Sequence, residues 1–397
     1  MKTSSSTYQK LGIKCWFVSR AIGRASEPWL WRQVQSLNRI NPKIICWERE
    51  NELDYPITCP LTLIHSPANV MHGYHRWIVR IKNLMSRNFF GTVGSERKIL
   101  VDLADHENPS VMLCHFGHWA LRMLPIAKAK NIKVVVHFHG LDISSLLKSD
   151  RWYRWSLKAN LKQFDAAVVV GRHQAKSLQN LGYPSEKIHI IPCGAPASQY
   201  KLLKHTPSTN CQLVVVGRLE AIKGVEQTLQ AFSRNALNNK NMHLHFLGDG
   251  PMRDKLESRS KQLGIANQTH FYGNQNQSFV KEMLSQSHIF LQHSVNHSNG
   301  SSEGFGVSIT EACLSGLPVI ATRCGGIVDQ IEHEVNGLLV EQYDIDTMAK
   351  YIARLSKDHS ERARLGKAAR ESAAKNFDSE KQAQKLEDLL IEVARAD

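Results

Sequence analysis

The sequence has no run of about 18 uncharged apolar residues, so no segment is expected to cross a bilayer as a helix. Its first residues, MKTSSSTYQKLGIKCWF, hold one short apolar run and lack the hydrophobic centre of a signal peptide. No CxxC pair occurs. The eight cysteines, at positions 15, 46, 59, 114, 193, 211, 313 and 324, are scattered. That scatter argues against a disulfide framework or zinc ribbon and for reduced, packed thiols in a cytosolic protein. Also missing are any short repeat and any low-complexity tract. Acidic residues are scarce in one half only: residues 1–200 carry 27 Lys+Arg against 13 Asp+Glu, while residues 201–397 carry 23 of each. All of the net charge of +14 therefore sits in the first half. Such asymmetry fits an anionic partner there (a membrane surface, a lipid-linked phosphate or nucleic acid) as well as a merely solvated basic surface.

What is present suits a globular protein with more than one core: 397 residues, 42% apolar and 22% charged. Short apolar runs alternate with longer amphipathic stretches, the pattern of βαβ units and parallel sheets. In the first half the strand candidates are 13–19, 43–48, 110–116, 133–140 and 166–171, with helices at 27–37, 119–130 and 174–181. In the second they are 212–219, 242–250, 269–273, 289–294 and 317–322, with helices near 224–236, 251–263, 277–286 and 306–315. A charged helical stretch runs on from about Asp344. The segment CGAPASQYKLLKHTPSTN, 193–210, reads as a linker. The expected fold is α/β: two Rossmann-like doubly wound domains, 1–205 and 206–375, with a helix at 376–397 packing back toward the first. Any ligand is expected in the central cleft, at the carboxyl ends of the strands.

Two stretches carry chemistry. VVVGRLEAIKG ends a buried strand at Gly217 and then places Arg218 and Lys223, cations that suit a diphosphate or simply face solvent. SSEGFGVSITEACLSGL, 301–317, has glycines at 304 and 306 that permit close backbone approach, before a helix whose free N–H groups fit a phosphate. Glu303 and Glu311 are acceptors for hydroxyl pairs, and the apolar surroundings of Glu311 argue against an ordinary exposed residue.

Taken with LGDGPMRDKLE, THFYGN and LPVIATRCGGIVDQIEHEVNGLLV, these stretches resemble the donor-binding domain of the retaining glycosyltransferases of family four, which have the GT-B fold. More loosely, LCHFGHW, VVVHFHGLDIS and FDAAVVVGRHQAKSLQNLGYPSEKIHIIPCGA resemble the first, acceptor-binding domain of bacterial polysaccharide-building members. The resemblance implies that Arg218 and Lys223 bind the donor diphosphate, that Glu303 holds hydroxyls of the transferred sugar, and that the backbone of Gly304, Phe305 and Gly306 touches sugar or phosphate. It implies a ribose contact for Glu311, base contacts near Tyr272 and Gly273, and a donor-sugar contact for His139, chosen over His137 by the Gly-Leu-Asp that follows. Gly23, in SRAIGRASEPWLWRQV, corresponds to the first strand-to-helix turn. Many relatives have a Gly pair or a Ser-Glu-Thr-Phe run there, whereas this chain has Ser26-Glu27-Pro28-Trp29.

The implied reaction is transfer from a nucleoside diphosphate sugar, UDP- or GDP-linked, to a glycan or lipid-linked acceptor in cell-surface polysaccharide synthesis, with retention and without cofactor or metal. Asp344-Ile-Asp346 has the spelling of a metal-binding DxD, but its position before TMAKYIARL favours helix capping. Residues 75–90 put Trp77, Ile78, Ile81, Leu84 and Met85 on one helical face and arginines elsewhere, which fits either a core-packed helix or one lying on anionic lipid at the inner membrane. The competing assignments are another GT-B enzyme, such as a sugar-nucleotide epimerase or a phosphorylase relative with pyridoxal phosphate, and a basic nucleic-acid-binding protein. Against the last, no zinc spacing, RNP run or basic zipper occurs.

Overall fold

The structure, a computed structural model, describes residues 10–24, 27–65, 84–202, 210–297 and 300–396. It divides into two compact units, Met1–Cys193 with Ser379–Asp397, and Gly194–Asp378. Of the sequence stretch 75–90, Trp77, Ile78 and Ile81 lie outside the described residues; Leu84 and Met85 are exposed.

The strands of the first unit are β1 (Lys14–Val18), β2 (Ala21–Ile22), β3 (Asn41–Cys46), β4 (Glu48–Arg49), β5 (Leu61–Leu63), β6 (Val111–His115), β7 (Lys133–Phe138), β8 (Ala166–Val169) and β9 (Ile188–Ile190). Seven form a parallel sheet in the order β5-β3-β1-β6-β7-β8-β9; β2 and β4 pair separately. Both faces are covered, so the strands read as continuous apolar runs, with VMLCH of β6 buried throughout. Alternation assigns the faces. Trp16, Met112, Val134, Val136 and Phe138 pack one way. Phe17, Leu113, Val135 and Val168 pack the other, against Leu386, Leu389, Leu390 and Val393. Those four leucine and valine positions follow the i, i+3, i+4, i+7 spacing of a single stripe on the helix Ser379–Arg395.

The second unit repeats the plan with β10 (Cys211–Val216), β11 (Met242–Leu247), β12 (Thr269–Phe271), β13 (Ile289–Gln292), β14 (Val319–Thr322) and β15 (Leu338–Val340). The order is β12-β11-β10-β13-β14-β15, again parallel throughout. Counted within each sheet the order runs 3-2-1-4-5-6-7 in the first unit and 3-2-1-4-5-6 in the second, so the crossovers reverse direction between β1 and β6 and between β10 and β13. Ligands of doubly wound sheets sit beyond the carboxyl ends of the strands at that reversal. All four edge strands of these two sheets have three residues each; β12 falls within the expected strand 269–273, whereas β5, β9 and β15 have no counterpart among the strand candidates. Asp344 caps the helix Ile345–Lys357 by accepting from Thr347 N–H at 2.9 Å, and Asp346 pairs with Arg234.

Glu387 fastens the last helix to its unit. It is buried, accepts from the backbone N–H groups of Arg39 and Ile40 at 2.6 and 3.1 Å, and pairs with Arg39 Nε at 2.9 Å. Glu387→Ala would leave two amides and the Arg39 Nε–H without their acceptor, although the guanidinium would keep its pair with Asp388 at 2.7 Å. A loss of about 2–4 kcal/mol is expected, read as a lowered urea midpoint; an unchanged midpoint would show the helix held by its apolar stripe alone.

Candidate functional site

In the second unit the chain leaves β10 at Gly217 and turns through Arg218 to Lys223. The turn is built from glycines that no larger residue replaces. Gly224 has φ +59°, and a Cβ there would stand 1.7 Å from the His293 carbonyl oxygen. A Cβ on Gly248, φ +132°, would stand 2.1 Å from the oxygen of Gly217. The ends of β10, β11 and β12 are thereby stitched together, with Gly248 N–H donating to the Gly273 carbonyl at 2.9 Å. Tyr272 and Gly273 thus stand beside the Arg218 loop, with the Tyr272 hydroxyl 3.1 Å from His245 Nδ1.

Lys223 and Glu303 meet directly. Lys223 Nζ lies 2.7 Å from Glu303 Oε2, which also accepts from Gln292 Nε2 at 2.8 Å and Ser294 Oγ at 3.0 Å. The carboxylate is 8% exposed, and three donors on one oxygen are what a charge in that position requires. Among the described residues no hydrogen bond reaches Oε1, so that oxygen is the one open to a ligand. Arg218 is placed differently: its side chain is largely exposed and pairs with Glu220 at 2.6 Å.

The Glu303–Gly306 turn is clamped from behind. The Glu303 carbonyl accepts from Gly326 N–H at 2.9 Å. Gln330 Nε2 donates to the carbonyls of Phe305 and Gly306, and its oxygen accepts from Thr310 Oγ1 at 2.7 Å. Phe305 is buried with its ring 5.4 Å from that of Phe377. Gly306, φ +83°, opens the helix Val307–Leu314, and Glu311 is buried on that helix.

The first unit holds Gly23 and His139. Gly23 follows β2 with φ +88°, and a Cβ would stand 2.0 Å from the Glu50 carbonyl oxygen; Asn51 Nδ2 donates to the Gly23 carbonyl at 2.9 Å. Arg24 pairs with Glu48 and Glu50 at 2.6 and 3.0 Å and steadies the same loop. His139 follows β7, partly exposed, with Trp29 at 4.1 Å between ring centroids. His139 Nε2 lies 3.0 Å from His115 Nδ1, and its Nδ1 lies 3.8 Å from Cys193 Sγ. Burial, then His137 and His115 nearby, holds His139 well below the usual histidine range, so the imidazole is neutral at pH 7. His137, the other candidate, is wholly buried within β7.

Asp142 shapes this corner. Its carboxylate is fully buried and accepts from the N–H groups of His139, Gly140 and Gly117 at 3.1, 3.1 and 2.9 Å. Burial pushes it up to about 6, and those backbone donors work against the rise.

Residues 204–372 match the family described as Glycosyl transferases group 1, and residues 38–199 match Glycosyltransferase Family 4. The chain belongs to the family four glycosyltransferases. It is 26% identical over 337 residues, 82% of each chain, to the putative colanic acid biosynthesis glycosyltransferase WcaL of Escherichia coli. To the amylovoran biosynthesis glycosyltransferase AmsK of Erwinia amylovora it is 24% identical, over 77% of this chain and 76% of that one. The fold matches Anabaena Alr3699/HepE, solved with UDP and glucose, at TM-score 0.76 and 18% identity, over 96% of this chain and all of that one. This is the GT-B fold.

Gln292, Ser294, Gln330 and Asp142 were not candidates from the glycosyltransferase's sequence. A faint signal exists for Gln292, a polar residue ending the apolar strand IFLQ, but what it binds is set by Glu303, eleven residues on. Gly326 offers a clean test of the turn. Its φ is ordinary, yet a Cβ would stand 2.4 Å from the Gly304 carbonyl oxygen. Gly326→Ala is expected to push Glu303–Gly306 aside and to cut turnover about a hundredfold with the fold retained by circular dichroism. Full activity would show that the turn tolerates displacement.

Proposed function

We propose that this glycosyltransferase moves a sugar from a nucleoside diphosphate sugar, UDP- or GDP-linked, to a glycan or lipid-linked acceptor of a cell-surface polysaccharide, with retention. Its relatives act in colanic acid and amylovoran biosynthesis by name, and the HepE structure holds UDP and glucose. The observation that carries the reading is Glu303, held by Lys223, Gln292 and Ser294 on one oxygen and open on the other.

In this reading Oε1 of Glu303 accepts from hydroxyls of the transferred sugar. Lys223 and Arg218 take the diphosphate, Gly304, Phe305 and Gly306 present backbone to sugar or phosphate, and Glu311 accepts from the ribose diol. Tyr272 and Gly273 are assigned to the base, Gly23 to a backbone approach, and His139, neutral, to a hydroxyl of the donor sugar. The chemical demand is separation of an oxocarbenium-like sugar from a diphosphate gaining charge, which preorganised positive groups ease. Arg218, Lys223 and the helix start after Gly306 supply them without a metal. The leaving phosphate helps to deprotonate the acceptor, so no enzymatic base is assigned.

Arg218→Ala and Lys223→Ala are each expected to lower turnover of the donor identified in a nucleotide-sugar panel by about 10²-fold or more. Near-normal rates in both would remove the phosphate assignment.

We also propose peripheral association with anionic lipid. No described helix is long and apolar enough to cross a membrane. Support comes from the helix Arg151–Asn160, RWYRWSLKAN, which buries Tyr153, Ser156 and Leu157 yet leaves Trp152 and Trp155 exposed. Phe89 packs 4.5 and 5.3 Å from those two rings, and Arg151 lies 4.6 Å over Trp152. Arg87, Arg154 and Lys158 border the same depression. Amphipathic rings ringed by cations are suited to an anionic interface. Sedimentation with anionic vesicles at low salt should show binding that weakens by about 1 kcal/mol for each of Arg151→Ala and Arg154→Ala. Absence of binding by the unaltered chain would remove the proposal.

A further inference from the structure

Beside the proposed sugar contact the first unit gathers three imidazoles for which the transfer reaction has use for only one. His115 and His137 are register partners on the adjacent parallel strands β6 and β7, so their side chains leave the same face. His139, two residues beyond His137, follows on that face. The ring centroids of His137 and His139 are 4.2 Å apart, and each lies 5.3 Å from that of His115. One ring nitrogen from each residue lies within 4.8 Å of the other two. His115 and His137 are wholly buried, under Phe17 at 4.3 Å and Trp29 at 5.9 Å from the His115 ring. Only His139 is partly exposed, which leaves one side from which a small ion can enter.

Packing alone does not account for the cluster. Hydrocarbon rings would fill the same space without polar atoms, whereas His115 Nε2 and both nitrogens of His137 are buried without a hydrogen bond of ordinary geometry, the Ile191 backbone being the polar neighbour of His137. Burial pushes His137 down to about 3 and keeps the three rings neutral at pH 7. A neutral imidazole has one ring nitrogen with a lone pair, and the one now engaged in the 3.0 Å contact between His115 Nδ1 and His139 Nε2 is released as the ion enters. We propose that His115, His137 and His139 bind a nitrogen-preferring divalent transition ion such as Zn²⁺, and that the bound ion takes His139 away from the donor sugar and inhibits transfer. Imidazole ligands favour Zn²⁺, Ni²⁺ or Cu²⁺ over Mg²⁺ or Ca²⁺. Zinc–nitrogen bonds of about 2.0–2.1 Å set tetrahedral ligands roughly 3.3 Å apart, so the rings close by at most about 1.5 Å. Cys193 Sγ, against His139 Nδ1, steadies that ring from its other side. The ion is an inhibitor here, and the metal-free chain is the active form.

The inhibitory half rests on the role proposed for His139; the binding half does not, and two readouts separate them. The metal-free full chain is titrated with Co²⁺ as a visible probe, and transfer is measured with and without Zn²⁺. One Co²⁺ per chain with tetrahedral visible absorption is expected, weakened at least about tenfold in His137→Gln, as loss of a ligand requires. Transfer by the unaltered chain should fall on adding Zn²⁺ and recover with chelator, while His137→Gln keeps its metal-free rate and loses the sensitivity. No Co²⁺ band in the unaltered chain overturns the site, whether or not the variant folds. Equal Zn²⁺ inhibition of both proteins places the ion elsewhere and also overturns it. A Co²⁺ site lost in His137→Gln with transfer indifferent to Zn²⁺ keeps the site but overturns the inhibition, and with it the sugar contact given to His139.

Discussion

The ion pair between Lys223 and Glu303 is the contact around which the second unit's site is arranged. A carboxylate at 8% exposure cannot stay charged unless its lost hydration is replaced, and one lysine is a meagre replacement. Gln292 and Ser294 complete the set, and both come from β13 or the residues just after it, beside β10 at the point where the sheet's crossovers reverse. Gln292 and Ser294 are neutral donors on the same oxygen, so under the diphosphate role proposed for Lys223 the carboxylate would keep two hydrogen bonds if the lysine turned away.

The same sheet order around the reversal in both units explains why the candidate residues fall where they do. A parallel sheet returns every crossover to the same end, so loops at the carboxyl ends collect beside one another at the reversal. In the first unit those loops carry Gly23 after β2 and His139 after β7, with Trp29 lying against His139. In the second they carry Arg218, Lys223, Tyr272, Gly273 and Glu303. Asp142 does for the first unit what Gln330 does for the second: each is a buried polar side chain that fixes backbone of the loop bearing a functional group.

How much of this could be read from the sequence follows from how far each interaction reaches along the chain. The long buried strands, the glycine turn at 304–306 and the Arg218/Lys223 loop announce themselves within a few residues, because burial and backbone conformation restrict residue type locally. The short edge strands β5, β9 and β15 do not, since a run such as LTL at 61–63 exists as a strand only by pairing with β3. Gln292, Gln330 and Asp142 are equally silent: a polar residue in an apolar run signals a buried hydrogen bond, but its partner is chosen by tertiary structure. The three histidines needed the register of β6 against β7 before they became a cluster at all.

Arg218 and Lys223, which look alike in sequence, are unequal in structure, and the inequality bears on how a diphosphate is captured. Arg218 pairs with Glu220 in a largely exposed position, where an ion pair contributes little and is readily exchanged. Lys223 is more enclosed, and its partner Glu303 has lost more of its water. Under the diphosphate role proposed for both, an arriving phosphate would displace Glu220 from Arg218 at small cost, and the guanidinium could then offer two parallel donors. Lys223, more enclosed, would keep Glu303 within reach. On that proposal the exposed cation suits capture and the enclosed one suits the charge that grows as the bond breaks.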